Sequence, residues 1–153
     1  MTRNNLVLLG VLGSAGLLGG AFLFQYFGYP PCQMCLWQRW PHAAAIVIGL
    51  AAVAVQGRLL PLLAGLAALT TAGIGIFHTG VERDWWEGPA SCAGTGLGNL
   101  DASALLSTAG DRLVMCDKVS WDLFTISMPS WNAIFSLILV AVWVRAVLAS
   151  GRQ

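Results

Sequence analysis

The chain has 153 residues, of which 57% are hydrophobic and only 10% charged, with a net charge of +1 and a mean hydropathy of +0.72. A soluble domain carries about a quarter charged residues, so this composition excludes one and describes a small integral membrane protein. No basic run points to nucleic acid.

Four apolar segments follow one another. Leu6 to Phe24 is uncharged over 19 residues, Leu36 to Gln56 is interrupted only by Arg39, Leu59 to Phe77 is again uncharged, and Trp131 to Val144 runs on past Arg145 to Ala149. A span needs about 20 residues at 1.5 Å rise to cross a core of about 30 Å. The last segment reaches that length if Arg145 snorkels at its end. The expected architecture is an all-α membrane protein. Its single domain, 1–153, is a four-transmembrane-helix bundle with helices about 6–25, 36–56, 59–78 and 130–149. Loops over about 26–31 and 80–128 join them on one side. The first run is too long for the apolar region of a cleaved signal peptide, and no small-residue cleavage site follows it.

The charges set the orientation. All seven acidic residues lie between Glu82 and Asp122, whereas Arg3, Arg58, Arg145 and Arg152 fall at the opposite ends of the segments. The positive-inside rule places those arginines and both termini in the cytoplasm. The short and long loops then face the other compartment, the periplasm in a bacterium. Gly13, Gly16 and Gly20, followed by Ala43, Ala44, Ala45, Gly49, Ala52 and by Gly65, Ala68, Ala72, form small-residue stripes suited to close helix packing. Trp37, Trp40, Trp85, Trp86, Trp121 and Trp131 read as an interfacial aromatic belt. Residues 100–109 read as a short amphipathic helix on the membrane surface.

Between the first two runs stands Tyr29-Pro30-Pro31-Cys32-Gln33-Met34-Cys35-Leu36-Trp37-Gln38-Arg39. Prolines are favoured at a helix start, which puts Cys32 and Cys35 in an opening turn where the macrodipole stabilises a thiolate. Arg39, four residues after Cys35, adds a positive charge to that face. Cys92 and Cys116 lie in the long loop. Four cysteines in one oxidising compartment imply two disulfides, most simply Cys32–Cys35 and Cys92–Cys116. A staple three residues apart constrains little, so the Cys-x-x-Cys pair is read as redox-active. Zinc would prefer a second Cys-x-x-Cys or a histidine pair, and covalent haem needs His where Leu36 stands.

Two disulfides of this kind suggest a relay by thiol–disulfide exchange. The chain has no flavin or dinucleotide motif, which makes a lipid-soluble quinone the economical electron acceptor. Arg39 is placed to hold the Cys35 thiolate and to polarise a quinone oxygen. His78, at the end of the third helix, is a candidate donor to the other oxygen. His42 reads as structural, and Pro41 as a kink or the start of the regular helix.

With these residues in place the chain resembles the bacterial DsbB family of membrane thiol:quinone oxidoreductases. The likeness rests on Pro31-Cys32-x-x-Cys35-Leu36-x-Gln38-Arg39, on Phe77-His78-Thr79, on Cys116 followed by Ser120-Trp121-Asp122-Leu123-Phe124, and on Ser127-Met128-Pro129-x-Trp131. The resemblance implies an inner-membrane enzyme that reoxidises a DsbA-like periplasmic thioredoxin-fold protein. It implies catalytic roles for all four cysteines. Cys92 forms the mixed disulfide with the partner, Cys116 exchanges with Cys32, and Cys35 meets ubiquinone or menaquinone beside Arg39 and His78. The protein is expected to act as a monomer. The loop from Cys92 to Gly110 carries no motif of the family. Two other readings remain: a non-catalytic membrane subunit with two structural disulfides, and a vitamin K epoxide reductase-like enzyme. In the latter the loop cysteines precede the Cys-x-x-Cys, the reverse of the order here.

Overall fold

The computed structural model describes residues 1–89, 92 and 115–151. The amphipathic helix expected over 100–109 lies outside the described residues. Among the described residues four helices carry the fold: α1 (Arg3–Tyr26), α2 (Gln33–Ala54), α3 (Leu59–Glu82) and α4 (Met128–Ala149). Each packs on its neighbour in the chain, and α1 closes the ring against α4. The short connections after α1 and α2 make each of these helices antiparallel to its successor.

Helices α1, α3 and α4 are long and apolar enough to cross a membrane, with mean hydropathies of 2.1, 1.9 and 2.1. Helix α2 is of similar length, 22 residues, but Gln33, Gln38, Arg39 and His42 dilute its apolar character. It runs unbroken through Pro41. The outer surface is rich in exposed Leu12, Phe22, Val47, Leu66 and Ile138, as a lipid-facing bundle requires.

The small-residue stripe expected on α1 divides in two. A Cβ at Gly13 would run into Leu139, but Gly16 and Gly20 face open space. The close packing is instead organised by Trp143, which is fully buried. Gly10, Gly49 and Gly65 from three helices all face its ring. Only glycine leaves room for an indole between helix backbones this close.

The two ends of the bundle differ. At one end buried Arg3 ties three chain segments together: Nε donates to Ser150 Oγ at 2.9 Å and Nη2 to the carbonyls of Val55 at 2.9 Å and Gly57 at 3.2 Å. At the other end lie the cysteines. There a two-residue antiparallel hairpin, β1 (Asp122–Leu123) and β2 (Ile126–Ser127), leads into α4. Its turn places Phe124 and Thr125 at φ of 53° and 64°, the left-handed pair that a tight hairpin needs.

Candidate active site

Pro30 and Pro31 hold the chain extended up to Cys32, which is the N-cap of α2 at φ −77° and ψ 173°. Its sulfur takes the place of a capping oxygen and accepts the backbone N–H of Cys35 at 3.3 Å. An anion at this position satisfies an orphan amide and meets the positive end of the helix dipole. The two sulfurs are 2.9 Å apart and both cysteines are free, so the expected Cys32–Cys35 disulfide is present here as its dithiol. Cys32 Sγ also lies 3.5 Å from His78 Nε2.

Both sulfurs precede Leu36, where the apolar run begins. The Cys35 S–H donated to Cys32 lowers the Cys32 thiol to about 5; contact with His78 works the same way, and burial opposes both. The same shared hydrogen bond pushes Cys35 up. The reduced pair therefore carries its charge on Cys32 and its proton on Cys35, whereas the sequence pointed to Cys35 as the anion.

Cys92 and Cys116 form a disulfide with Cα atoms 4.9 Å apart. The Cys116 N–H donates to the Cys92 carbonyl at 3.0 Å. Both are buried in one cluster with Cys32, Met34 and Val81, and Cys35 packs against it. Residues scattered over 84 positions of the chain thus bring two cysteine pairs into contact.

A cavity of about 390 Å³ opens beside the pair, lined among others by Gly16, Gly20, Cys35, Arg39, His42 and Trp121. Arg39 reaches α1 rather than Cys35. Its Nη1 donates to Gln25 Oε1 at 2.7 Å and Nη2 to the Ala21 carbonyl at 3.3 Å. The guanidinium lies 4.8 Å from the Phe22 ring centre. Arg39 Nε, His42 Nδ1 and Glu82 Oε2, all on residues that line the cavity, are buried without protein partners, which sets a few unpaired polar atoms in an otherwise largely apolar wall. Such a wall suits a flat, mostly apolar ring bearing polar oxygens.

Ligand atoms of Cys32, Cys35 and His78 lie within 4.8 Å of one another, a possible metal set that the sequence did not foresee. Two thiolates on one tetrahedral zinc, with Zn–S of about 2.3 Å, stand about 3.8 Å apart. The sulfur spacing of 2.9 Å suits exchange between the sulfurs better.

Thr71 and Asn132 escaped the sequence reading, and Gln38 entered it only as a motif residue without a role. Gln38, Thr71 and Asn132 join His42 and His78 in one hydrogen-bonded set across α2, α3 and α4. Their signal was available: polar side chains inside apolar spans are costly and mark functional positions.

A family model described as disulfide bond formation protein DsbB matches residues 3–146. Curated relatives named disulfide bond formation protein B include one from Methylococcus capsulatus, 34% identical with 81% of each chain covered. One from Xanthomonas oryzae pv. oryzae is 30% identical, with 89% of this chain and 84% of the relative covered. One from a Polaromonas species is 27% identical over 100% of this chain and 95% of the relative. No solved structure matches the chain.

Proposed function

The chain belongs to the DsbB family of disulfide-generating membrane oxidoreductases, and from that premise we propose that it is a thiol:quinone oxidoreductase serving a DsbA-like partner. The observation that carries this reading is the packing of both cysteine pairs into one cluster beside the cavity.

Cys92 of the loop disulfide accepts the attacking thiolate of the reduced partner and forms the mixed disulfide, with Cys116 leaving as the thiolate. The partner's second thiol displaces Cys92, so the partner departs oxidised and the loop pair is left reduced. Cys116 then attacks Cys32 of the Cys32–Cys35 disulfide and releases Cys35. Cys92 displaces Cys32 from Cys116, which restores the loop disulfide and leaves the helix pair reduced. Each step breaks one S–S bond and makes one. A bound quinone, ubiquinone or menaquinone, would supply the acceptor for the two electrons and two protons released when Cys32 and Cys35 close again. Cys35 and Arg39 are the residues assigned to hold it, with Arg39 Nε as the free donor; His78, expected to share that task, lines the same cavity with its ring nitrogens facing Cys32 and Gln38.

Helix α2 serves as the fourth span from Leu36 onward. The protein then sits in the bacterial inner membrane as a monomer, with the Arg3 end and both termini cytoplasmic and the cysteines periplasmic. The staple-only reading finds no support in a free, touching Cys32–Cys35 pair. Purified protein supplied with quinone is expected to oxidise a reduced DsbA-like thioredoxin-fold protein, and Cys35→Ser to abolish quinone reduction. Turnover retained in that variant would sink the acceptor role. Cys116→Ala should accumulate the mixed disulfide with the partner and Cys92→Ala should form none; the reverse pattern would exchange their roles.

A further inference from the structure

The buried polar set behind the cysteines has a direction that can be worked out atom by atom. The fixed point is the backbone carbonyl of Met34, which only accepts. Gln38 lies 3.3 Å from it through Nε2, so the amide nitrogen of Gln38 must be on that side. The same Nε2 is 3.1 Å from His78 Nδ1. An amide N–H2 only donates, so His78 Nδ1 must be the bare, accepting nitrogen. The proton of the neutral ring is therefore on Nε2, the atom that faces Cys32 Sγ at 3.5 Å and Glu82 Oε1 at 4.0 Å.

The other side of Gln38 is equally determined. Its Oε1 is 2.7 Å from Asn132 Nδ2, and that nitrogen's second hydrogen goes to Thr71 Oγ1 at 3.2 Å. The Thr71 hydroxyl spends its own hydrogen on the Gln38 carbonyl at 3.1 Å. Asn132 Oδ1 then accepts from His42 Nε2 at 2.9 Å. Gln38, His42, Thr71 and His78 are 6%, 3%, 0% and 2% exposed, while Asn132 is half-buried on the cavity wall, so water can reach the set only at its Asn132 end. Turning over either amide would set oxygen against oxygen and strand a buried donor.

We propose that Gln38, Asn132 and Thr71 are positioning residues that lock His78 in the Nε2–H tautomer, which makes His78 a neutral hydrogen-bond donor to the Cys32 sulfur. Every hydrogen bond in the chain from His42 to Cys32 points toward the sulfur. His78 then does not act as a base toward the Cys32 thiol, because its free lone pair is occupied by Gln38. The other groups around Cys32 are Cys35 on its own helix, Glu82 on α3, and Arg39 and Lys118 on the cavity wall. The proposal uses the redox role of Cys32 but not the identity of the oxidant, so its test reads no turnover.

The chain has two histidines, so nitrogen-15 labelling of histidine in detergent-solubilised, reduced protein gives a spectrum simple enough to assign with His42→Phe. At pH 8 the His78 signals are expected to show an unprotonated Nδ1 and a protonated Nε2. Asn132→Asp removes the N–H that holds Gln38 and is expected to interchange the two His78 signals. Asn132→Leu is expected to mix them. In both variants the pH midpoint of Cys32 alkylation, near 5 in the wild type, should rise by about one pH unit, which lowers the thiolate fraction at pH 5.5 by about threefold. A purely structural role for Asn132 would lower melting temperature without moving either readout. A wild-type His78 with its proton on Nδ1 overturns the proposal, as would tautomer and alkylation profile unmoved in both variants.

Discussion

The charge on Cys32 can be read directly from the pH dependence of its alkylation. Its thiol is lowered from 9.0 to about 5, so at pH 7 it is about 99% thiolate, against about 1% for an unperturbed thiol. That hundredfold gain does not become a hundredfold rate. Nucleophilicity falls with basicity at a slope of about 0.4–0.5, and four units of pKa cost about 60-fold in intrinsic reactivity. At neutral pH the two effects nearly cancel, and a single rate there would be uninformative. The slope decides. Between pH 6 and 8 the Cys32 rate should be nearly flat, then halve near pH 5, where an ordinary thiol still loses tenfold per unit. The same shift stabilises the reduced folded protein in full above about pH 9. That stabilisation shrinks as pH falls and is gone below about pH 5. Reduced protein pulsed with iodoacetamide from pH 4.5 to 8.5, with Cys32 and Cys35 resolved by mass spectrometry, gives the profile. A Cys32 rate that climbs tenfold per unit through pH 7 would refute the assignment of the anion.

Three further outcomes are expected. In Cys32→Ala the onset of Cys35 alkylation should move to lower pH than in the reduced wild type, because the hydrogen bond that raises it is gone; an unmoved onset in the same alkylation series would contradict the coupling. Gly20→Ala should raise thermal stability by up to about 1 kcal/mol through helix propensity, since its Cβ meets nothing within 4 Å. Gly20→Leu, projecting into the cavity, should raise the KM for quinone with kcat for the partner thiol unchanged at saturation, and an unchanged KM would place the acceptor elsewhere. Trp143→Ala should cost about 3–5 kcal/mol in detergent unfolding and Trp143→Phe distinctly less, because Phe also removes an indole N–H that is buried without a partner; equal losses would show that the ring's bulk is not what matters.

How much of this was legible in the chain depends on whether the signal was local. Helix positions and the N-terminal placement of Cys32 follow from apolar runs and from two prolines, which act on their own neighbourhood. Trp143 was grouped with nothing because its role depends on Gly10, Gly49 and Gly65 arriving from three other helices. Gly16 and Gly20 share the spacing of Gly13, yet they face the cavity; periodicity identifies a helix face but not what stands opposite it. Arg39 was placed beside Cys35 by its spacing of four residues, but a long side chain goes where acceptors are. Gln25 and the Ala21 carbonyl on α1 claim it. His42 read as structural without a partner in view, since Asn132, to which it bonds, is 90 positions away.

The disagreement over which sulfur is charged resolves once the order of bond making is considered. In the free dithiol Cys32 holds the anion, because it accepts the capping amide and the Cys35 proton. An existing negative sulfur at 2.9 Å opposes deprotonation of Cys35. In the proposed relay Cys116 attacks the Cys32–Cys35 disulfide, so Cys32 is neutral while bonded to Cys116 and Cys35 leaves as the thiolate. The helix N-terminus and the cavity guanidinium then act on Cys35 as the remaining ionisable sulfur of the pair. On that proposal the anion forms on the cavity side only after electrons have arrived from the loop. A Cys35 charged at all times would react with any oxidant entering the cavity, whether or not a partner had been served. The neighbouring cysteine therefore gates the reactivity that the helix start and Arg39 were expected to provide by themselves.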